Sequence, residues 1–446
     1  MNTGTSWSQR SFIERRIMLL PTELHDQIID ELGFTESENV GSASVDRRRT
    51  LAACLLVSHS FRNRSMRYLF NVVRLKGHQS HVLRRATLLN AILARESTLD
   101  KSSLLPTSHF IQEIVISPIG VDSRVNETGN SLATLLSTIR TRMEEGFGPK
   151  NLGLDFRRQN WSNIVPPFKE ELLALIQSPY LNFLSIKRLV LVPPSFLHGL
   201  QIIGLSLQDV RFVTTETISV PLNLGNIHPP RLTRFECDGY IPGFVHTTFL
   251  DLICNKLFAD LKILRWEAAE FDEKTNLKQI LHSTANSLEE LDIGIFSWQL
   301  NNTEGLGSMT KLQQLHLETE CLATTVSNIA NFFNIQVPLS RLHTIHFTFR
   351  KAHNTSSSRE GQLPPGLIEQ RNDCQLLDNH LSSLHYSNLK KVLVTVKLDW
   401  PAHWQNSSSV EEVRSSATAE LRALFPRLAA SPLTNTSFLP NVEVEL

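Results

Sequence analysis

The chain carries no net charge: Lys+Arg and Asp+Glu number 44 each among its 446 residues. With no long-range field to attract a phosphate backbone, wholesale nucleic-acid binding is not expected. Cysteine is scarce. Cys54, Cys237, Cys254, Cys321 and Cys374 are odd in number, scattered and never in C-x-x-C spacing. Neither a disulfide framework nor a zinc site is read from them, and reduced thiols in a cytoplasmic or nuclear protein are expected. The first twenty residues place Arg10, Glu14, Arg15 and Arg16 where a secretory signal needs an apolar core, so a secreted protein is not expected. Long apolar runs are missing too. The nearest, Leu189 to Leu207, is uncharged, but Pro193-Pro194 breaks it and Ser195, His198, Gly199, Gln201 and Ser206 dilute it. It reads as two buried strands joined by a turn, and no membrane partner is expected.

Catalytic signatures are lacking as well. Gly305-Leu306-Gly307-Ser308-Met309-Thr310-Lys311 has glycines and a lysine at the wrong spacing for a phosphate-cradling loop. Gly204-Leu205-Ser206 does not continue into a nucleophile elbow. His343 and His346 stand three apart on an expected strand and therefore point to opposite faces, which argues against joint metal ligation with Cys321. The reading is a non-enzyme without cofactor or metal. Trp266 is expected in the core, and Trp298 in either the core or a contact surface. Glu267, Glu270, Asp272 and Glu273 make an acidic ridge that is either a solvated turn or a contact for a basic segment. Arg47-Arg48-Arg49 reads as a solvated helix start.

What the chain does have is size, apolar content and repetition. Hydrophobic residues make up 41% and charged residues 20%, a folded composition. At this length several domains or a repeat array are expected. The template L-x-x-L-x-L recurs at Ile186/Leu189/Leu191, Ile202/Leu205/Leu207, Leu232/Phe235/Cys237, Leu261/Leu264/Trp266, Leu288/Leu291/Ile293, Leu312/Leu315/Leu317, Leu342/Ile345/Phe347 and Leu389/Val392/Val394. Its first positions fall 16, 30, 29, 27, 24, 30 and 47 residues apart, mostly close to the leucine-rich-repeat period. Helical patterns lie between them at Phe249–Phe258, Leu277–Ala285, Val326–Phe333 and Cys374–Leu384. Strand, helix, strand at this period predicts a right-handed solenoid with a parallel sheet. Ile111/Ile114/Ile116 and Leu152/Leu154/Phe156 are included as irregular repeats. Ala352 to Gly366 reads as a flexible insertion. Glu411 to Leu428 reads as a closing helix, followed by a cap strand at Val442/Val444/Leu446.

The amino-terminal part is different. Met1 to Arg16 reads as a disordered tail. Pro21 suits a first helical turn, Glu23 and Asp26 complement its dipole, and Gly33 ends it. Leu24, Ile28 and Leu32, with Ile29 beside them, give it one apolar face. After a polar loop from Phe34 to Asp46, Thr50–Val57 is expected as a helix apolar nearly all round, which implies contacts on more than one side. A third helix, Phe61–Phe70, leads into a strand at Val72–Leu75. Four aliphatics on the first helix gain about 6–12 kcal/mol when fully buried. Association costs about 4–15 kcal/mol, so the second helix has to contribute through Leu51, Cys54, Leu55 and Val57.

These residues resemble the F-box: Leu20-Pro21, Glu23, the aliphatics Leu24/Ile28/Leu32, then Leu51/Leu55/Val57, Ser58 and Phe61. The continuation Arg67-Tyr68-Leu69-Phe70 into Val73-Arg74-Leu75 is similar to the expanded F-box-like family of fungi, where irregular leucine-rich repeats follow. The resemblance implies an α/β chain with a three-helix F-box at 17–75 and a leucine-rich-repeat solenoid with a parallel sheet at 76–446. It also implies a substrate-recognition adaptor of an SCF-type cullin-RING ubiquitin ligase. Leu20, Pro21, Leu24, Ile28, Ile29, Leu32, Leu51, Cys54, Leu55, Val57, Ser58 and Phe61 would meet the Skp-family adaptor and, through it, a cullin. The solenoid would hold an unidentified protein substrate. Two departures are plain: the loop between the first two helices exceeds the usual F-box connection, and the repeats lack a regular turn Asn, with Val210, Ala269, Phe296 and Glu320 at those positions. A repeat scaffold unconnected to a ligase, its first helices capping the solenoid's open end, fits the same residues.

Overall fold

The computed structural model describes residues 28–30, 42–57, 59–96, 106–117, 125–193, 196, 200–213, 232–238, 257–268, 274–295, 309–320, 326–327, 329–330, 339–350, 367–368, 370–382, 386, 388–399, 410–430 and 437–445. The expected tail at 1–16, the insertion at 352–366, Trp298, Cys321 and most of the first helix lie outside them. The chain divides into two compact units, Met1–Lys187 and Arg188–Leu446. Both are mixed α/β and solenoid-like: the strand pairings given for them are parallel, between strands consecutive in the chain. Among the described residues no helix is long and apolar enough to cross a membrane.

The first unit begins with α1 (Ser42–Cys54) and α2 (His59–Phe70), which lead into β1 (Val72–Lys76). It continues through α3 (Gln79–Glu96), β2 (Glu113–Ser117), α4 (Val125–Glu144), β3 (Asn151–Asn160) and α5 (Pro166–Ile176). The α1 helix starts eight residues before the expected Thr50, inside what composition marked as loop. Local pairs hold that added stretch, with Arg49 against Asp46 at 3.5 Å and the Thr50 hydroxyl on the Asp46 carbonyl at 2.9 Å. β1, β2 and β3 lie side by side in that order. Ile114 and Ile116 on β2, with Leu152, Leu154 and Phe156 on β3, are buried, so both segments are strands of the parallel sheet. Val82, Ala86, Leu89 and Leu93 are the buried stripe of α3, and Leu132, Leu135, Leu136, Ile139 and Met143 that of α4. Val165 crowds the helix axis of α4 at Gly129, where a Cβ would lie 2.1 Å from a Val165 methyl. The buried Arg142 guanidinium donates to the Leu93 carbonyl, Nε at 3.1 Å, and ties the carboxyl-terminal turn of α4 to α3.

β4 (Phe183–Val190) runs across the unit boundary in sequence. Beyond it lie β5 (Gly204–Gln208), β6 (Arg234–Asp238), β7 (Ile263–Ala268), α6 (Lys274–Ser283), β8 (Glu290–Ile295), β9 (Gln314–Glu320) and β10 (Thr344–Arg350). The unit closes with α7 (Arg371–Leu381), β11 (Lys391–Asp399), α8 (Val410–Leu424), α9 (Pro426–Ala430) and β12 (Ser437–Glu445). From Ile202/Leu205/Leu207 to Leu389/Val392/Val394, every apolar position of the repeat template is 2% exposed or less. The earlier triplet fails at its last member. Leu191 is 47% exposed because Arg188 and Leu191 adopt φ of +56° and shift the phase, which leaves Leu184, Ile186 and Leu189 inside. Strand starts are stitched alike from repeat to repeat. The carbonyls of Thr233, Lys262, Glu289, Gln313 and His343 each accept two successive N–H groups of the next repeat at 2.8–3.1 Å. The expected closing helix is broken at Phe425, because Pro426 has no N–H to continue it. The buried Asp378 of α7 caps the restart by accepting the N–H groups of Arg427 and Leu428 at 2.8 and 2.9 Å. The expected cap strand is β12, parallel to β11, with Val442 buried.

Candidate functional site

At the amino-terminal end, Ile29, Leu51 and Phe61 enclose one another at 0, 4 and 7% exposure, with Cys54, Tyr68 and Leu69 packed against them. A polar clamp fixes the residue beside Ile29. Arg64 of α2 donates two hydrogen bonds to the Asp30 carboxylate, at 2.7 and 2.6 Å, and the Tyr68 hydroxyl donates a third at 2.8 Å. The Arg64 bonds, then the Tyr68 bond, hold Asp30 below the usual carboxylate range. Burial, then Asp30, pushes Tyr68 up.

That core is closed, yet aliphatic surface remains outside it. Leu56 is 90% exposed, Ile28 44% and Val57 38%. The helix stops at Cys54, and the Leu56 and Val57 amides bond back to Ala53 and Cys54 at 3.1 and 3.2 Å in a tighter turn. That turn swings Leu56 out. Of the twelve residues expected at an adaptor, Ile29, Leu51 and Phe61 therefore build the module's own core, Cys54 and Leu55 are half-buried, and Ile28 and Val57 face solvent. Leu20, Pro21, Leu24, Leu32 and Ser58 lie outside the described residues. Leu56, the most exposed aliphatic of the apolar run, was not among those expected. Counting a helix through Val57 conceals it, because the helical phase ends three residues earlier.

The second surface is the polar face of the repeat sheet in the second unit. Parallel register aligns the outward residues of successive strands into rows. The middle row reads Glu236, Arg265, Asp292, His316, His346 and Leu393, then Leu439 on β12. Arg265 reaches Glu236, Glu290 and Asp292 at 3.6, 3.3 and 3.9 Å, while Arg234 Nε donates to Glu236 at 2.8 Å. In the next row Glu267 and Glu318 flank Gly294, whose Cβ would meet the Glu267 chain at 3.0 Å. Burial, then the charge of Asp238, raises Glu267. Burial also opposes the charge of Glu318, but Arg350 and Lys397 outweigh it and hold Glu318 low.

Asp292, His316, Thr348, His346 and Thr395 form one hydrogen-bonded chain. Asp292 Oδ1 is 2.7 Å from His316 Nδ1, His316 Nε2 is 2.9 Å from Thr348 Oγ1, and His346 Nε2 is 2.9 Å from Thr395 Oγ1. The carboxylate can only accept, so His316 Nδ1 donates to it. The rings stack at 4.3 Å and 14°. Burial, then the neighbouring His316, lowers His346 to about 4. A carboxylate, an imidazole and a hydroxyl in this order have the outline of a nucleophile relay. The surroundings do not suit one: Thr348 is 2% exposed, and its strand is paired on both sides in the parallel ladder, which commits the backbone N–H groups an oxyanion would need. His346 is thus a hydrogen-bonded ladder residue, and among the described residues no group of three or more His, Cys, Asp or Glu could hold a metal ion. Trp266 is in the core at 2%. The chain matches no protein-family profile and no curated protein.

Proposed function

We propose that this chain is the substrate-recognition adaptor of an SCF-type cullin-RING ubiquitin ligase. Its amino-terminal module, read as an F-box, docks on the Skp-family adaptor that a cullin carries, and its repeat unit holds a target protein. One observation carries the reading. Ile29, Leu51 and Phe61 are buried against one another, and aliphatic side chains at Leu56, Val57 and Ile28 face water beside them. Burying those three against a partner gains at most about 5–9 kcal/mol against an association cost of about 4–15 kcal/mol. The remainder falls to Leu20, Pro21, Leu24 and Leu32. No catalytic group is required of this chain, because proximity and orientation are its contribution to ubiquitin transfer.

Titrating the purified full chain with a purified Skp-family adaptor in a calorimeter tests the reading. A saturable complex of one chain to one adaptor is expected, and Leu56→Asp should weaken it. Absence of a complex overturns the receptor reading and leaves the repeat scaffold.

A further inference from the structure

Along the middle row of the polar face, charge gives way at β9 to His316, His346, Leu393 and Leu439, neighbours in register across four strands. The rings stack, both nitrogens of His316 and Nε2 of His346 are held by Asp292, Thr348 and Thr395, and Leu439 is 44% exposed. A solvated ladder needs only polar side chains on its wet face, so two rings and two leucines side by side require another account. The charge balance differs between the strands of this face. Among the described side chains of the face, β6 to β9 carry six carboxylates against the guanidiniums of Arg234 and Arg265. β10 and β11 offer Arg350, Lys391 and Lys397, of which Arg350 and Lys397 pair with Glu318, and β12 carries Glu443.

We propose that this face docks an extended, lysine- or arginine-rich segment of the target protein. The segment's cations lie over β6 to β9, and an aliphatic or aromatic side chain sits on the strip from His316 to Leu439. Charge complementarity selects the occupant: on β6 to β9 carboxylates outnumber the two guanidiniums that pair with some of them, and Asp238 and Glu267 face each other with like charge, so an acidic segment meets repulsion there and a basic one is favoured. The size is suitable. Strands about 4.8 Å apart put β6 and β12 roughly 29 Å from each other, which about nine extended residues at roughly 3.3 Å each would span. The identity of the occupant as a target protein rests on the receptor reading, but the charge class does not.

The test selects a phage-displayed library of randomised nine-residue peptides on the full chain and measures the recovered consensus peptide by fluorescence anisotropy. Recovered sequences are expected to gain Lys and Arg over Asp and Glu relative to the unselected library. Affinity should fall about tenfold or more on Leu439→Asp and fall again on Asp292→Asn, with the thermal transition of Leu439→Asp unchanged. Failure to recover binders, recovery without a basic bias, or affinity indifferent to both substitutions overturns the proposal. Self-association of the chain that Leu439→Asp abolishes also overturns it, by making the occupant a second copy. Adaptor titration of the same variants keeps the two readings apart. An intact peptide preference without adaptor binding sinks the receptor reading alone, and adaptor binding without the preference sinks this proposal alone.

Discussion

Leu56→Asp separates a docking residue from a core residue. Leu56 is 90% exposed and lies two residues beyond the end of α1. Its side chain touches little of its own molecule, so the substitution should change stability by no more than about 0.5 kcal/mol. At an adaptor interface the leucine would gain roughly 1.5–3 kcal/mol on burial, which an aspartate forfeits before its own desolvation is counted. Affinity should therefore drop by about 10- to 150-fold or more. Leu51→Ala is the matching reference. It is 4% exposed against Ile29 and Phe61, and truncating such a residue costs about 2–5 kcal/mol through lost contacts and the cavity left behind. Calorimetric unfolding and adaptor titration on the same preparations read both quantities. The expected outcome is a crossed pattern, with Leu56→Asp losing affinity at unchanged stability and Leu51→Ala losing stability. If Leu56→Asp destabilises as much as Leu51→Ala, or binds as the unsubstituted chain does, the end of α1 is not a docking surface.

Gly129→Ala should destabilise by about 1–3 kcal/mol despite the better helix propensity of alanine, because the new methyl meets Val165 at 2.1 Å; Val165→Ala in the same chain should restore the unfolding midpoint. Asp378→Ala strips the acceptor from the Arg427 and Leu428 amides and should cost about 1–3 kcal/mol, with faster hydrogen exchange at those two amides. His346 is lowered from 6.5 to about 4, so between those values the unfolded chain holds more protons than the folded one. Stability is full above the ordinary histidine range and falls as pH drops through that window, and His346→Gln should flatten the slope measured by urea unfolding. Asp30 sits below its ordinary value in the clamp of Arg64 and Tyr68, so its contribution is present above the usual carboxylate range and is lost on further acidification. Asp30→Asn should remove that limb of an acid-unfolding curve.

The repeat sheet was legible because its signal is steric and periodic. Leu232/Phe235/Cys237 and the triplets after it are inward at every position, since a parallel strand buried on one face admits nothing else there. The phase slipped at Leu191 because two L-residues, Arg188 and Leu191, take left-handed φ without a glycine to announce it. Arg157 and Arg158 do the same in β3, where Asp155 accepts the Arg157 amide at 3.2 Å. Such bends cost on the order of 1–3 kcal/mol each and are invisible in composition. α1 was read too short for the opposite reason. Asp46 to Thr50 is exposed throughout, so no buried periodicity betrays a helix held by its own side-chain pairs. The polar rows were hidden by distance along the chain. Yet Asp292, His316 and His346 each occupy the single position between the last two apolar residues of their repeat, and aligning those positions would have found the row.

The same register implies that the two surfaces should respond differently to substitution. On the repeat sheet, inward and outward residues of one strand lie on opposite faces, so Asp292 or Leu439 should be free to change while Leu291 and Val442 keep the fold. In the amino-terminal module a single short element serves both purposes. Leu51 and Cys54 pack inward, and Leu56, two residues past the helix end, faces out, so shifting the helix phase by one residue would exchange core for surface. A one-residue insertion between Ala53 and Cys54 should therefore abolish adaptor binding together with the stability of the module.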